Sequence, residues 1–196
     1  MRQLRSSEQG LTLVELLVVL AVTGILLSLA VPSFADMLNR RRVQLVADQI
    51  VTDIAFARAE TAVVGRSDVD VVFVNNASQS CYTLSYWGLV GTCDCTRGEG
   101  NACNGNPASP NFTSRTEIRT TQLMANSGVE FVSSGNWDAL SPGQLRFRRP
   151  QLFPTVPNFA VTVIGKRGFT LRVQLNALGR ISQCSPDGSM PGASAC

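Results

Sequence analysis

LTLVELLVVLAVTGILLSLAV, running from Leu11 to Val31, carries one formal charge, Glu15, in an otherwise apolar stretch. At about 1.5 Å per residue a helix of this length crosses a hydrocarbon core of about 30 Å. The segment therefore predicts a membrane-spanning helix. Past Pro32 the pattern stays helical but becomes one-sided: Val43, Val46, Ile50, Ile54, Ala57 and Thr61 recur at i, i+3, i+4 spacing, while Arg41, Gln44, Asp48 and Arg58 fall on other faces. One long helix is expected, apolar all round at first and amphipathic later, with a stop at Gly65. Gly24 lowers helix propensity and Pro32 removes a backbone donor, so the stretch between them is where the helix would loosen.

Residues 1–10, MRQLRSSEQG, are polar and carry Arg2 and Arg5, as the start of a secretory signal would. An ordinary signal needs a shorter apolar core and a small-x-small cleavage site, and this core runs on into more helix. Glu15 then needs a partner, because an ionised carboxylate in hydrocarbon is costly until something neutralises it. Two readings are open. Either the carboxylate lies among the headgroups, or cleavage after Gly10 frees the amine of Leu11, which, on the same or a neighbouring copy, becomes its counter-charge.

The remainder of the chain narrows the chemistry. Its 196 residues include no His, which excludes Ser/His and Cys/His catalysis and His-ligated metal sites, and an enzyme is not expected. Charged residues make up 16%, with 17 Lys and Arg against 14 Asp and Glu, too balanced for a dedicated nucleic-acid-binding domain. After Gly65 the period switches from 3.6 to 2. Residues 69–73, 81–87, 129–132, 145–148, 159–164 and 169–176 read as strands, predominantly antiparallel, with one face available to the amphipathic half of the helix. Asp68 with Asp70, and Arg146 with Arg148, read as solvated strand charges. The Asn-x-Ser/Thr triplets at Asn76 and Asn111 read as chance.

Six cysteines, Cys81, Cys93, Cys95, Cys103, Cys184 and Cys196, predict disulfides and an oxidising compartment. The stretch 88–116 is poor in large apolar groups and reads as a surface excursion held by local cross-links. Sequential pairing, Cys81 with Cys93 and Cys95 with Cys103, is the simplest of many possibilities. Zinc is the competing use of those four, but no C-x-x-C spacing supports it, and neither a metal nor a cofactor is implied.

Gly10-Leu11-Thr12-Leu13-Val14-Glu15-Leu16 resembles the class III signal of type IV pilins and type II secretion pseudopilins, departing from the family pattern at Leu11, where Phe is commonest. The resemblance implies cleavage between Gly10 and Leu11 by a prepilin peptidase, N-methylation of Leu11, a register and assembly role for Glu15, and loosening residues at Gly24 and Pro32. It implies an α+β, type IV pilin-like fold, the long helix packed on an antiparallel β-sheet domain with disulfide-bonded loops. The divisions are a leader at 1–10, a transmembrane and filament-core helix at 11–31, the amphipathic half at 32–64 and a periplasmic β-rich domain at 65–196. Many pilins close a C-terminal loop with a disulfide, which here implies Cys184 with Cys196.

Positive charges lie on both sides of the span, Arg2 and Arg5 before it and Arg40 to Arg42 after it, so charge alone leaves topology open. The cysteines and the resemblance put the C-terminus in the periplasm of a single-pass inner-membrane protein, and at the pilus tip after assembly. The closing segment Leu178-Gly179-Arg180 to Cys184 is similar to the GspH/FimT/FimU group of minor pilins, low-abundance subunits that help initiate pilus assembly. The partners so implied are other minor pilins and the major pilin through the N-terminal helix, the prepilin peptidase and the inner-membrane assembly platform. Two alternatives share the N-terminus: a GspH-type pseudopilin of a type II secretion system, and a FimT-like DNA-binding minor pilin. In the latter a G-R-x-R pattern is matched at Gly179 and Arg180 but not at Ser182, with Lys166, Arg167, Arg172 and Arg180 as candidate DNA-binding side chains.

Overall fold

The structure is a computed structural model that describes residues 12–63, 67–104, 114–135 and 143–196. Gly10, Leu11, Gly65 and Asn111 lie outside the described residues. The chain divides into two compact units, residues 1–38 and 39–196.

Helix α1 spans Leu13–Thr61 and continues through Gly24 and Pro32. Its start follows from local chemistry: the Glu15 amide donates to Thr12 Oγ1 at 3.3 Å, and the Leu16 amide donates to the Thr12 carbonyl at 3.2 Å. Thr12 is thus an N-cap, and it satisfies a donor that the first turn would otherwise leave open. In the first unit α1 has no buried face. Every large apolar side chain described there, from Leu13 at 74% to Leu38 at 42%, is exposed.

In the second unit the same helix meets a β domain. Strands β1 (Val69–Asn75), β2 (Gln79–Tyr86), β3 (Thr116–Met124), β5 (Gln144–Arg148) and β6 (Phe153–Pro154) form one antiparallel sheet in the order β3-β2-β1-β5-β6. Strands β4 (Val129–Ser134), β7 (Phe159–Gly165), β8 (Thr170–Leu175) and β9 (Ile181–Cys184) form a second, in the order β4-β7-β8-β9. The result is the α+β arrangement that the resemblance implied. Strand β3 was not legible, because Thr116–Met124 is largely polar and only half-buried.

Val43, Ala47, Ile50, Ile54 and Ala57 of α1 are at most 1% exposed and share one core with Val71, Phe73, Tyr82 and Leu84 of the first sheet and Phe131, Val161, Val163 and Val173 of the second. Phe73 is the hinge of that core, its ring 5.2 Å from Tyr82, 6.0 Å from Phe131 and 5.6 Å from Phe159. Aromatic contacts at these separations add directionality to area burial.

Polar pins fix the helix in place. The Tyr82 hydroxyl donates to Asp53 Oδ2 at 2.6 Å, and Tyr86 donates to Glu60. Seven helical residues rise about 10 Å and four strand residues about 13 Å, so the two pairs match only if α1 runs in the same direction as β2. Asp53 is 1% exposed and is also held by Arg119 Nη1 at 2.6 Å and Gln49 Nε2 at 3.0 Å. Burial first, and the bond to Asp53 second, raise the Tyr82 pKa far above its usual value, so the phenol stays a donor. On the second sheet, a Cβ at Gly165 would lie 2.4 Å from Val43 Cγ2, and the Arg58 guanidinium covers Gly179, donating to its carbonyl at 2.8 Å. Arg58, which the helical period put on a face away from the core, thus clamps the helix to a turn.

Asp53→Ala should cost about 2–3 kcal/mol of unfolding free energy in denaturant titration, since the Tyr82 hydroxyl loses its acceptor while Arg119, 45% exposed, regains water. Tyr82→Phe should cost about 1–2 kcal/mol. Equal stability of both variants and the wild type would remove the pin from this account.

Candidate functional site

The two regions with chemistry of their own in the second unit lie on opposite sheets. On the first, the face turned away from α1 is covered rather than solvated. Asp70 and Arg146 are directly paired residues of β1 and β5, and both are buried. Arg146 forms an ion pair with Asp70, its Nη2 standing 3.0 Å from Oδ2, and Gln144 Nε2 donates to the same oxygen at 2.8 Å. Arg115 Nη1 approaches from the loop at 3.2 Å, and Trp87 caps the Arg146 guanidinium at 5.1 Å. The expectation of solvated charges is therefore corrected for Asp70 and Arg146, because period 2 identifies a face but not what lies over it. Asp68 remains a partly exposed residue that faces Arg149 at 4.0 Å.

What lies over that face is the chain from Gly88 to Asn104 with its return at Ser114. Cys81, on the outer side of β2, is bonded to Cys95, and Cys93 to Cys103. The sequential pairing expected above, Cys81 with Cys93 and Cys95 with Cys103, is corrected. A Cys81–Cys95 bond ties the excursion down onto the sheet, which a bond from Cys81 to the earlier cysteine of the C-x-C would not do at the same point. Glu117 fixes the loop by accepting from the amides of Gly100 and Ala102, both at 2.9 Å, and Gln122 Nε2 donates to the Cys95 carbonyl at 2.6 Å. Beneath it Cys81, Thr83 and Ser85 are fully buried, so β2 is covered on both faces. No cluster of His, Cys, Asp or Glu suited to a metal is found among the described residues.

On the second sheet, alternation along β8 sends Leu171, Val173 and Leu175 into the core and Thr170, Arg172 and Gln174 outward. Arg172 and Arg180 line a groove of about 550 Å³ with Ser134, Asn158, Gln174, Asn176 and Ser182. None of its lining residues is acidic, and Arg172 Nε is shielded from solvent without a hydrogen-bond partner. Lys166 and Arg167 do not join this groove. They occupy the turn between β7 and β8, at the opposite end of β8 from the β8–β9 turn that holds Arg180. Gly179, part of the Gly-Arg pattern, has a structural task of its own: its φ of +78° and the closeness of Arg58 both require a residue without Cβ.

The third bond joins Cys184 to Cys196. Inside that loop the Asp187 carboxyl is held below the ordinary carboxylate range by hydrogen bonds, first from the Thr170 side chain and then from Ser189.

At the N-terminus, Glu15 stands three residues after the Thr12 N-cap, in the first turn of α1. Thr-x-x-Glu is the signature of a capping box, and a carboxylate there also meets the positive end of the helix dipole. This signal was present in the sequence and supplies a second physical reason for an acid at position 15.

Residues 5–31 match the family model described as the prokaryotic N-terminal methylation motif, the class III prepilin signal of type IV pilins and pseudopilins. No curated protein and no solved structure matches the chain.

Proteolysis without reductant should release Cys81 linked to Cys95 and Cys93 linked to Cys103, read by mass spectrometry of the joined peptides. Removing the Cys81–Cys95 bond by a double Ser substitution should cost about 3 kcal/mol, the loop-closure entropy of a cross-link of this span. Recovery of a Cys81–Cys93 peptide would contradict the described geometry.

Proposed function

We propose that this chain is a minor pilin of a type IV pilus, a low-abundance subunit of the tip complex that helps initiate assembly. The observation that carries the reading is the helix from Leu13 to Leu38, headed by the methylation motif and exposing all of its described large apolar side chains. Burying each such side chain is worth about 1.5–3 kcal/mol, and more than a dozen of them together outweigh the stability of an ordinary domain, about 5–15 kcal/mol. Water is not a tolerable solvent for this segment. Lipid serves before assembly, and a bundle of like helices from other subunits serves after it.

In this proposal residues 1–10 are a leader, a prepilin peptidase cuts between Gly10 and Leu11, and the new amine of Leu11 is methylated. Residues 11–31 then span the inner membrane, with the β domain in the periplasm, until the assembly platform moves the subunit into the fibre. Glu15 sets register there: a subunit seated out of step would leave its carboxylate and a neighbour's amine unpaired in a low-dielectric core. Gly24 and Pro32 are where the helix would yield on transfer. The C-terminal Gly179-Arg180 turn and the Cys184–Cys196 loop support the minor-pilin reading through the GspH/FimT/FimU resemblance. A GspH-type pseudopilin of a secretion system would obey the same N-terminal rules.

Mass spectrometry of the mature protein should find a methylated Leu11 at the N-terminus. Glu15→Val should still be cut yet enter fibres poorly. Wild-type pilus number and incorporation with Glu15→Val would refute the register role.

A second reading, a DNA-binding minor pilin, is favoured by the groove between Arg172 and Arg180, which lacks acidic groups and has an unpartnered Arg172 Nε. Two arginines neutralise few phosphates, so binding would be weak and salt-sensitive. In a gel shift of the full chain in detergent, Arg172→Gln with Arg180→Gln should abolish a low-salt shift that Lys166→Gln leaves intact. No shift at low salt would dismiss this reading.

A further inference from the structure

Five arginines of the second unit face a carboxylate within it: Arg115 and Arg146 share Asp70, Arg119 meets Asp53, Arg149 Asp68 and Arg97 Asp94. Arg40, Arg41, Arg42 and Lys166 take part in none of these ion pairs. Lys166 is remote from the three arginines in sequence, yet the fold brings its turn to the helix, with the Lys166 side chain lying along Gly128. Gly165 packs directly against Val43, which brings the β7–β8 turn onto the helix one residue after Arg42. From the other side of the same turn, Phe169 lies under the Arg40 guanidinium at 4.7 Å. That stacking fixes the orientation of Arg40 and leaves its Nε sheltered with no hydrogen-bond acceptor. Arg167 adds a further cation to the turn, in a left-handed conformation with φ of +66°.

Acids around this cluster are few. Glu130 of β4 stands across from Ile164, Asp48 accepts from Gln183 Nε2 at 2.8 Å, and Asp36 precedes the arginines in sequence. The cluster therefore carries an excess of positive charge at the end of the domain where the chain arrives from its apolar segment. Phe34, Met37 and Leu38 are exposed, and the three arginines begin two residues later. Hydrocarbon-compatible side chains followed at once by guanidinium groups reproduce, along one chain, the order of acyl region and headgroup.

We propose that Arg40, Arg41, Arg42 and Lys166 form a collar that binds the headgroup phosphates of anionic phospholipids while the subunit is anchored. Guanidinium forks match phosphate oxygens two at a time, and a collar drawn from both helix and turn holds the β domain against the membrane surface. An acidic surface of another pilin is the competing occupant. Lipid is favoured because the three arginines lie within about two helical turns of the exposed Phe34, Met37 and Leu38. The inference rests on the membrane-anchored reading above.

The test uses the full chain in detergent and in vesicles of phosphatidylcholine with or without phosphatidylglycerol. Flotation with pure phosphatidylcholine vesicles checks anchoring alone, and a chain that stays in solution there would refute the anchored reading on which the collar rests. Native mass spectrometry of the detergent-extracted chain then checks the collar. Phosphatidylglycerol should be retained in preference to phosphatidylcholine, and each lost charge should lower that preference about fivefold. The variant Arg40→Gln, Arg41→Gln, Arg42→Gln, Lys166→Gln should thus lose it by well over about tenfold. Replacing the three arginines by Lys should keep most of it, and Arg172→Gln with Arg180→Gln should leave it unchanged. Equal retention of the two lipids, or a preference indifferent to the collar variant, would overturn the proposal. So would a collar variant that keeps its lipid preference but loses cross-links to an acidic subunit.

Discussion

A single helix has to be soluble in two media. Its first part, through Leu38, hides none of its described large apolar side chains, whereas five of its residues from Val43 to Ala57 are at most 1% exposed in the domain core. The change is one of pattern rather than of composition. When apolar groups surround the axis, only another apolar medium can take the helix. When they collect in one stripe, a sheet can take it. Everything else in the second unit follows from giving that stripe a surface, and everything proposed for the first follows from its having none.

That surface is not held by apolar contact alone. The hydrophobic effect is proportional to area and has little sense of direction, so a helix stripe on a sheet can slide at small cost. Asp53 with Tyr82, Glu60 with Tyr86, and Arg58 with Gly179 supply the missing register. Each is a polar group in or beside the core that is satisfied in one alignment and stranded in its neighbours. On the far side of the first sheet, Asp70 does the same for the excursion and for β5, gathering Arg146, Gln144 and Arg115. The buried carboxylates make the assembly of α1, two sheets and a cross-linked loop specific.

Charge is distributed in accordance with this division of labour. In the middle of the domain the arginines are structural and paired. At its two ends stand cations outside these pairs: Lys166 at one end of β8 and Arg180 at the other, with Arg172 between on the outer face. A nearly balanced total charge therefore conceals two local concentrations of cations, one where the β7–β8 turn meets α1 and one in the groove of Arg172 and Arg180.

The sequence by itself determined the elements whose signal is periodic or local. The apolar run fixed a helix apolar all round, the 3.6-residue recurrence from Val43 to Thr61 fixed the buried face of the helix, and alternation fixed β8, because each depends on neighbours a few residues away. The Thr12-to-Glu15 cap is equally local, though it was recognised only from the Thr12 hydrogen bond. Tertiary structure alone decided the rest. Whether Asp70 is wet depends on a loop that returns at Arg115, and which cysteine of the C-x-C meets Cys81 depends on how that loop crosses β2. That the β7–β8 turn meets α1 at Val43 while the β8–β9 turn meets it at Arg58 depends on how the second sheet lies along the helix. Those are contacts between residues far apart in the chain, and their energies exist only once the intervening chain has paid the entropy of closing.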